Sequence, residues 1–358
     1  MMAGESEGWE WAKSEFPKRY EESLIAAKAR SASASGKASF AFAKGMFSFA
    51  PGFVKEHGLV RKLRKAYLKA NGKEEQPYAM LCMQSFVNYL LNREPALPRG
   101  AGKEYASEAQ RIVGHYIQGA LGGGMEHRKI YGDFYAKVKK QGRHYELHGV
   151  KLCSNTFFPE VFFHHHGLKR LPADALSRVR KGAILDIGAA NGDSACVLSH
   201  YTDGKVYSFE CDSRAYGEME KNIALNGLKN VVPVMAAIGQ REEKLGFDGF
   251  PRDFYFHHQQ KSAIETETVS LDGFCMKNGV GQVSLLKMDI EGFELEAMLG
   301  ARQVIARDKP VVIASVYHTG KDFFEVPLEL KRLNPAYRFM LLTLNEEVPM
   351  MESTLVAY

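Results

Sequence analysis

A chain of 358 residues is long enough for one large domain or two ordinary ones. Its composition, with 45% hydrophobic and 25% charged residues, is that of a globular protein and excludes wholesale disorder. Its five cysteines are widely spaced, which excludes a disulfide framework and a zinc-finger pattern and favours a reducing, cytoplasmic compartment. The formal net charge is +5, no run approaches the ~20 apolar residues of a spanning helix, and the acidic first thirty residues predict no signal peptide.

The positive charge is concentrated at the front of the chain. Residues 1–150 contain 24 Lys+Arg and 15 Asp+Glu, a net of +9, whereas the rest contains 23 and 27, a net of −4. Residues 28–73 alone hold eleven Lys+Arg and a single acid, Glu56. This segment predicts an anionic partner, either a nucleic acid or a membrane surface to which the protein would be peripheral. A solvated basic surface is the alternative.

The first predicted elements are helices. Residues 57–70 place Leu59, Leu63 and Tyr67 four apart on one face of a basic amphipathic helix. Glycines and prolines separate the further helical candidates, which are residues 77–93, 103–121 and 126–140. We therefore predict a mainly helical, basic N-terminal domain over residues 1–142.

After Gly142 the pattern changes to alternating strands and helices. Residues 145–152 alternate like a short hairpin. Seven apolar strand candidates follow, at 183–187, 205–210, 231–236, 283–289, 310–316, 338–344 and 353–358. Helical patterns separate most of them, which predicts a mostly parallel α/β sheet over residues 143–358 with its ligand site at the carboxyl ends of the strands. The last two strands predict an antiparallel C-terminal hairpin.

The strongest motif is AILDIGAANGD at residues 183–193, an apolar strand followed by a glycine turn and a helix start. Gly188 and Gly192 allow close approach of a ligand, but their spacing differs from the G-x-G-x-x-G turn that binds a pyrophosphate. Asp186 and Asp193 flank the turn and would repel a pyrophosphate, so a nicotinamide oxidoreductase is disfavoured. A cationic ligand such as S-adenosylmethionine, with its sulfonium and ammonium groups, suits this turn.

Titratable side chains end three later strands. Glu210 lies 24 residues after Asp186, where a carboxylate can accept hydrogen bonds from two ribose hydroxyls. Asp289 and Glu291 have period-two spacing and point to the same side at the end of their strand. His318 is a candidate general base because the unperturbed pKa of histidine is ~6.5.

The succession LDIGAANGD, VYSFE, ETVSLD, LLKMDIEGFELE and SVYH resembles the FkbM family of S-adenosylmethionine-dependent methyltransferases over about residues 145–358. The resemblance implies a Rossmann-like class I methyltransferase sheet, S-adenosylmethionine as the cofactor, and O-methylation of a sugar, glycan or natural-product acceptor. The predicted catalytic residues are Asp289, His318 and Glu291. The predicted cofactor-binding residues are Glu160, Asp186, Gly188, Ala189, Asn191, Gly192, Asp193, Glu210, Cys211, Ala237 and Asp289.

Rival interpretations stay open at this point. Methylation of RNA or protein docked by the basic N-terminal region is the alternative function, and an oligomer is compatible with the sequence. A non-catalytic binding module is disfavoured because Glu210 and Asp289 are both present. The run His164–His166 suggests metal ligands, but adjacent histidines on regular structure cannot all face one ion, so no metal is predicted.

Overall fold

The computed structural model describes residues 82, 85, 86, 89, 90, 93, 96–120, 130–247, 256, 257, 264–347 and 352–358. The chain divides into two compact units, residues 1–96 with 106–126 and residues 97–105 with 127–358. The basic segment 28–73 and the predicted helix at 57–70 lie outside the described residues, so the helical N-terminal domain stays a prediction.

One predicted helix of the N-terminal region is confirmed as α1, Lys103–Ala120. Ala109, Ile112 and Tyr116 are buried at helical spacing along it, which is the pattern of an amphipathic helix. Tyr116 stacks on Phe86 with 4.0 Å between the ring centroids. In the described part of the chain, no helix is long and apolar enough to cross a membrane.

The second unit contains the remaining described elements. Its helices are α2 (Gly132–Tyr135), α3 (Pro159–Phe162), α4 (Ala173–Val179), α5 (Asp193–Leu198), α6 (Ser213–Asn226), α7 (Leu271–Lys277), α8 (Glu294–Leu299), α9 (Arg302–Asp308) and α10 (Gly320–Leu333). Its strands are β1 (Lys139–Gln141), β2 (His144–Leu147), β3 (Val150–Leu152), β4 (Ala183–Ile187), β5 (Val206–Glu210), β6 (Val231–Met235), β7 (Ala237–Ile238), β8 (Glu243–Phe247), β9 (Phe256–His257), β10 (Ile264–Val269), β11 (Val283–Met288), β12 (Val311–Ser315), β13 (Phe339–Thr343) and β14 (Ser353–Ala357). A 3₁₀ segment covers His165–Arg170.

A seven-stranded sheet in the order β13-β14-β12-β11-β4-β5-β6 forms the centre of this unit. The strands β4, β5, β6, β11 and β12 are parallel to one another, and β14 is antiparallel to both of its neighbours. The strand order reverses between β4 and β11, and ligands of such sheets bind outside the carboxyl ends of the strands at this reversal. The predicted Rossmann-like sheet with an antiparallel C-terminal hairpin is confirmed.

The strands form where the sequence has short apolar runs because helices cover both faces of a parallel sheet. Every residue of β11, β12 and β14 is buried. The main core packs α4 and α5 against the sheet and includes Ala175, Val179, Ile184, Leu198, Val206, Leu285, Val311 and Val356. The sheet thereby holds the strand ends that carry the acidic residues in fixed positions.

Two smaller sheets accompany the main one. The hairpin predicted at 145–152 is confirmed as β2 and β3. Of the described part of the helix predicted at 126–140, only Gly132–Tyr135 is helical. Gly142, with φ +62°, turns the chain so that Lys139–Gln141 pairs with β2 instead of continuing the helix. The second sheet, in the order β7-β10-β8-β9, was not expected from the sequence pattern.

Candidate functional site

The turn after β4 runs through three residues with left-handed backbone. The angle φ is +78° at Gly188, +44° at Ala190 and +82° at Gly192. A Cβ atom at Gly188 would lie 1.9 Å from the carbonyl oxygen of Asp289, so only glycine fits there. The turn therefore lies against the carboxyl end of β11, and this close approach brings the two principal sequence motifs together.

Asp186 is fully buried below this turn. Its Oδ2 accepts hydrogen bonds from the hydroxyls of Ser194 at 2.7 Å and Ser208 at 3.2 Å. Its Oδ1 lies 3.3 Å from Nζ of Lys287, which is the residue directly opposite on β11. The Asp186 carboxylate thus supports the turn from inside the protein and does not line the cavity described below.

Lys287 is a charged residue inside a fully buried strand and is not among the predicted site residues. Its Nζ also donates a hydrogen bond to the carbonyl oxygen of Gly188 at 2.7 Å. Burial acts to lower the pKa of Lys287, but Asp186, Asp289 and Asp193 outweigh burial and raise that pKa above its ordinary value. The charged lysine therefore ties β4, β11 and the turn together. The sequence signal for this role of Lys287 is a lysine within the otherwise uncharged run VSLLKM, because a buried charge needs a partner of opposite charge.

Glu210 ends β5 with its carboxylate against the same turn. Oε2 accepts a hydrogen bond from the backbone N–H of Ala190 at 2.9 Å, and Oε1 accepts one from Asp212 at 2.7 Å. Burial raises the pKa of Glu210, and these backbone hydrogen bonds oppose the shift. Each carboxylate oxygen can accept a second hydrogen bond, and Glu210 lines the cavity beside the turn.

This cavity has a volume of about 160 Å³ and lies at the carboxyl ends of β4, β5 and β11. It brings together six of the predicted site residues, which are Gly188, Glu210, Cys211, Ala237, Asp289 and Glu291. The rest of the wall is apolar and consists of Ile187, Ala190, Phe209, Ala215, Ala236, Ile238, Ile290 and Phe293. An apolar cavity with three acidic side chains in its wall suits a ligand that has a flat apolar part and a cationic part.

The other predicted residues of the turn lie outside this cavity wall. Ala189 is fully buried, and Gly192 has the left-handed backbone that precedes α5. Asn191 donates a hydrogen bond from Nδ2 to the hydroxyl of Thr156 at 2.7 Å, and its carbonyl oxygen accepts one from Nδ2 of Asn222 at 2.8 Å. These residues hold the turn to its neighbours.

Three further carboxyl groups near Asp289 have raised pKa values. Burial raises the pKa of Asp193 to about 7. Burial also raises the pKa of Glu160 to about 7, with Asp193 and Asp289 adding to the shift, and Oε2 of Glu160 is buried without a hydrogen-bond partner among the described residues. Burial, Glu160 and Asp289 raise the pKa of Glu352 well above its ordinary value. A cation among these groups would favour their ionised forms.

The loop after β11 brings the three predicted catalytic side chains together. The side chains of Asp289 and Glu291 are 30% and 33% exposed, whereas that of His318, which follows β12, is 2% exposed. Nε2 of His318 lies 3.5 Å from Oδ1 of Asp289 and 3.6 Å from Oε2 of Glu291. Glu291 has φ +59°, a left-handed conformation that is uncommon outside glycine.

Acidic side chains face both ring nitrogens of His318, because Nδ1 lies 2.9 Å from Oε1 of Glu294. Burial acts to lower the pKa of His318, but Glu294, Glu291 and Asp289 outweigh burial and raise that pKa well above its ordinary value. In the absence of a metal ion, these carboxylates favour the imidazolium form of His318, which cannot accept a second proton. One donor atom from each of Asp289, Glu294 and His318 lies within 4.8 Å of the others, close enough to hold a metal ion.

Glu294 organises this loop and is absent from the predicted site. It is fully buried, and its carboxylate accepts hydrogen bonds from the backbone N–H groups of Ile290 at 2.8 Å and Gly292 at 3.0 Å. Asp322 supports the next residue by accepting the N–H of Leu295 at 3.1 Å, and burial raises the pKa of Asp322 to about 8. The third acid of the K-x-D-x-E-G-x-E segment is the sequence signal for Glu294.

A match to one family profile agrees with the motifs. Residues 186–347 match the profile of the Methyltransferase FkbM domain. The solved structure of the methyltransferase FkbM from Methylobacillus flagellatus is 16% identical, with a TM-score of 0.45, and the match covers 81% of this chain but only 60% of that chain. A fibrillarin from Aeropyrum pernix with bound S-adenosyl-L-methionine is 13% identical over 54% of this chain and 71% of its own, with a TM-score of 0.32. No curated protein sequence is significantly similar to the chain.

Proposed function

We propose that the protein, whose residues 186–347 match the Methyltransferase FkbM domain, transfers a methyl group from S-adenosylmethionine to a hydroxyl group. The proposed acceptor is a small molecule, either a sugar or glycan or a natural product. The observation that supports this best is the single cavity in whose wall Glu210 and Asp289 both lie, beside the Gly188 turn. One carboxylate is available there for the cofactor and one for the acceptor.

The residues around the cavity fit this cofactor. When bound there, S-adenosylmethionine supplies a methyl group on a sulfonium sulfur, which becomes a neutral thioether on transfer. Glu210 has lone pairs for the ribose hydroxyls, and the small side chains Ala236 and Ala237 leave room for the adenine ring. Glu160 and Asp193 are proposed to hold the ammonium group, because a cation supplies the partner that the buried Oε2 of Glu160 lacks among the described residues.

Asp289, rather than His318, is the proposed acceptor of the hydroxyl proton. His318 is nearly fully buried and already carries a proton, whereas Asp289 is partly exposed and lines the cavity. The imidazolium of His318 keeps the carboxylates of Asp289 and Glu291 in place from behind. Catalysis would then consist of alignment by the cavity walls together with proton removal by Asp289.

Two measurements test the proposed function. Calorimetry with S-adenosylmethionine, S-adenosylhomocysteine and NAD should show binding of the first two only, because the carboxylates of Glu210, Asp289 and Glu291 in the cavity wall would repel a pyrophosphate. Incubation with S-adenosylmethionine carrying an isotopic methyl label in a cell extract should label a small-molecule fraction. Binding of NAD alone, or label in RNA or protein alone, would contradict the proposal.

Replacement of Glu210 by alanine should weaken cofactor binding. The ribose hydroxyls would lose a charged acceptor, and each such hydrogen bond contributes ~1.5–3 kcal/mol, so the affinity should fall by roughly tenfold or more. Calorimetry on Glu210→Ala measures the change, and Glu220→Ala, an exposed glutamate on α6, is the matched control. Unchanged affinity in a folded Glu210→Ala protein would show that another group holds the ribose.

Cofactor affinity should also rise with pH between 6 and 8. The raised pKa values of Glu160 and Asp193, both about 7, mean that the free protein holds these groups protonated below that pH, whereas a bound cation favours their ionised forms. Binding is then linked to proton release, which calorimetry detects in buffers of different ionisation enthalpy. Glu160→Gln should flatten the dependence, and an affinity that falls with pH would exclude this role.

The alternative function, methylation of RNA or protein, depends on the basic segment 28–73, which lies outside the described residues. It stays a prediction, as do a peripheral membrane location and the formation of an oligomer. Binding of RNA or of anionic vesicles should weaken steeply with salt if residues 28–73 dock an anionic partner. Absence of binding at low salt would favour a solvated basic surface.

A further inference from the structure

A second cavity, of about 790 Å³, lies in the same compact unit and shares no lining residue with the cavity at the strand ends. It belongs to the size range of small-molecule sites. Rings form much of its wall, from Tyr131, Phe134, Phe162, Phe163 and Tyr201 together with the imidazoles of His148, His164, His165 and His200. Most of these residues precede the matched methyltransferase domain.

The run of three histidines supplies two of these imidazoles. His165 and His166 both have left-handed backbone, with φ +50° and +53°, so successive side chains point in different directions. Nε2 of His164 lies 3.0 Å from the hydroxyl of Tyr131, and Nδ1 of His165 lies 2.6 Å from the hydroxyl of Tyr201. The wall thus contains two imidazole–phenol pairs. The Tyr131 hydroxyl also donates to the carbonyl oxygen of Leu344 at 3.3 Å, whereas the Tyr201 hydroxyl keeps a lone pair for a further hydrogen bond.

These two imidazoles are uncharged at neutral pH. Burial lowers the pKa of His164, and burial together with Lys169 lowers the pKa of His165 to about 4. A neutral imidazole has one donor and one acceptor nitrogen, and a tyrosine hydroxyl can also act in both ways. A ligand group that both donates and accepts, such as a hydroxyl, is the best match for these pairs.

The rings also form an edge-to-face cluster. The ring centroid of Tyr131 lies 6.5 Å from that of Phe134, 5.8 Å from that of Phe163 and 6.0 Å from that of His164, each at a steep interplanar angle. Phe163 is nevertheless 50% exposed, and Ile130, which also lines the cavity, is 44% exposed. An aromatic ligand would extend the cluster and cover this exposed apolar surface.

The charged side chains in the wall cancel one another. Lys137 and Lys169 are cationic, Asp133 and Glu346 are anionic, and Nζ of Lys169 already donates a hydrogen bond to the carbonyl oxygen of Phe163 at 2.6 Å. An ionised ligand would gain no net attraction from this set and would lose its hydration. The cavity therefore favours an uncharged ligand.

We propose that this cavity is a second binding site, for an uncharged aromatic compound that carries a hydroxyl group. The rings around Tyr131 receive its aromatic part, and the pairs Tyr131–His164 and His165–Tyr201 bind its hydroxyl. The site is separate from the proposed methyl-transfer cavity, so its existence does not depend on the proposed function.

The test uses 2-naphthol, whose fluorescence reports binding, with the full chain and with two matched variants. Phe163→Ala removes an exposed ring of the cavity wall and should weaken 2-naphthol binding by roughly fivefold or more. Phe158→Ala removes a phenylalanine that is 46% exposed on the same segment but does not line the cavity, and it should leave binding unchanged. Cofactor affinity, measured in the same samples, should be equal in both variants.

Further probes separate the interactions. Naphthalene should bind more weakly than 2-naphthol because it lacks the hydroxyl, and 2-naphthalenesulfonate should bind more weakly because it is charged. The proposal is overturned if 2-naphthol does not bind, if Phe163→Ala binds it like the unchanged protein, or if either of the other probes binds at least as tightly.

Discussion

Asp289→Asn is expected to lower the rate of methyl transfer by ~100-fold or more, the usual scale for loss of a positioned acid–base group. The substitution keeps the shape of the side chain but removes the charge that would accept the hydroxyl proton. Asp289 is partly exposed, so the fold should be retained. The measurement is the transfer rate with an identified acceptor, beside thermal melting of the same protein.

Two variants make this result interpretable. Asp174→Asn, at an exposed aspartate of α4, is the control and should keep full activity. His318→Gln should also reduce the rate of methyl transfer, because Asp289 would lose the imidazolium that holds it in place. The environment of the proposed base would then differ, so the pH profile of the residual activity should change as well. Full activity in folded Asp289→Asn would end the case for this carboxylate as the base.

Lys287→Met should cost ~3–5 kcal/mol of unfolding free energy, because it leaves the buried carboxylate of Asp186 without its counter-charge. Urea denaturation at pH 7 measures this loss. The pKa of Lys287 is raised in the folded protein, so the stability that this group contributes is present below the unfolded pKa of lysine and would be lost only as the pH rises through the folded value.

A double variant tests whether the charge pair is the cause. Lys287→Met combined with Asp186→Asn removes both charges while the amide oxygen can still accept from the two serines, so much of the loss should be recovered. Lys205→Met, at an exposed lysine just before β5, should change stability by less than about 0.5 kcal/mol. A small effect of Lys287→Met alone would show that the pair contributes little.

The sequence predicted the main sheet well because its central strands, such as β11 and β12, are buried along their whole length. Each of the seven predicted strands is confirmed to within one residue at either end, since a continuous apolar run begins and ends where burial does. The resemblance to the FkbM family is confirmed as well. The sheet formed by β7 to β10 was missed because strands such as IETETV alternate with charged residues and lack such a run.

The candidate site was harder to predict, since its chemistry depends on residues that are far apart in the chain. His318 has the sequence context of a base, yet acids from the loop at 289–294 raise its pKa and favour its protonated form. Lys287 and Asp186 are about a hundred positions apart and meet only through the register of β4 and β11. Spacing along the chain identifies the strand ends, whereas the contacts between them decide which groups carry charge.

The position of β14 has a consequence for folding during synthesis of the chain. β14 lies between β12 and β13, both of which precede it in the sequence, so those two strands leave the ribosome before the strand that joins them. Until Ser353–Ala357 emerges, the edges of β12 and β13 that β14 occupies in the sheet are open to pairing with other chains. A chain that stops before residue 353 should therefore aggregate more readily than the full chain.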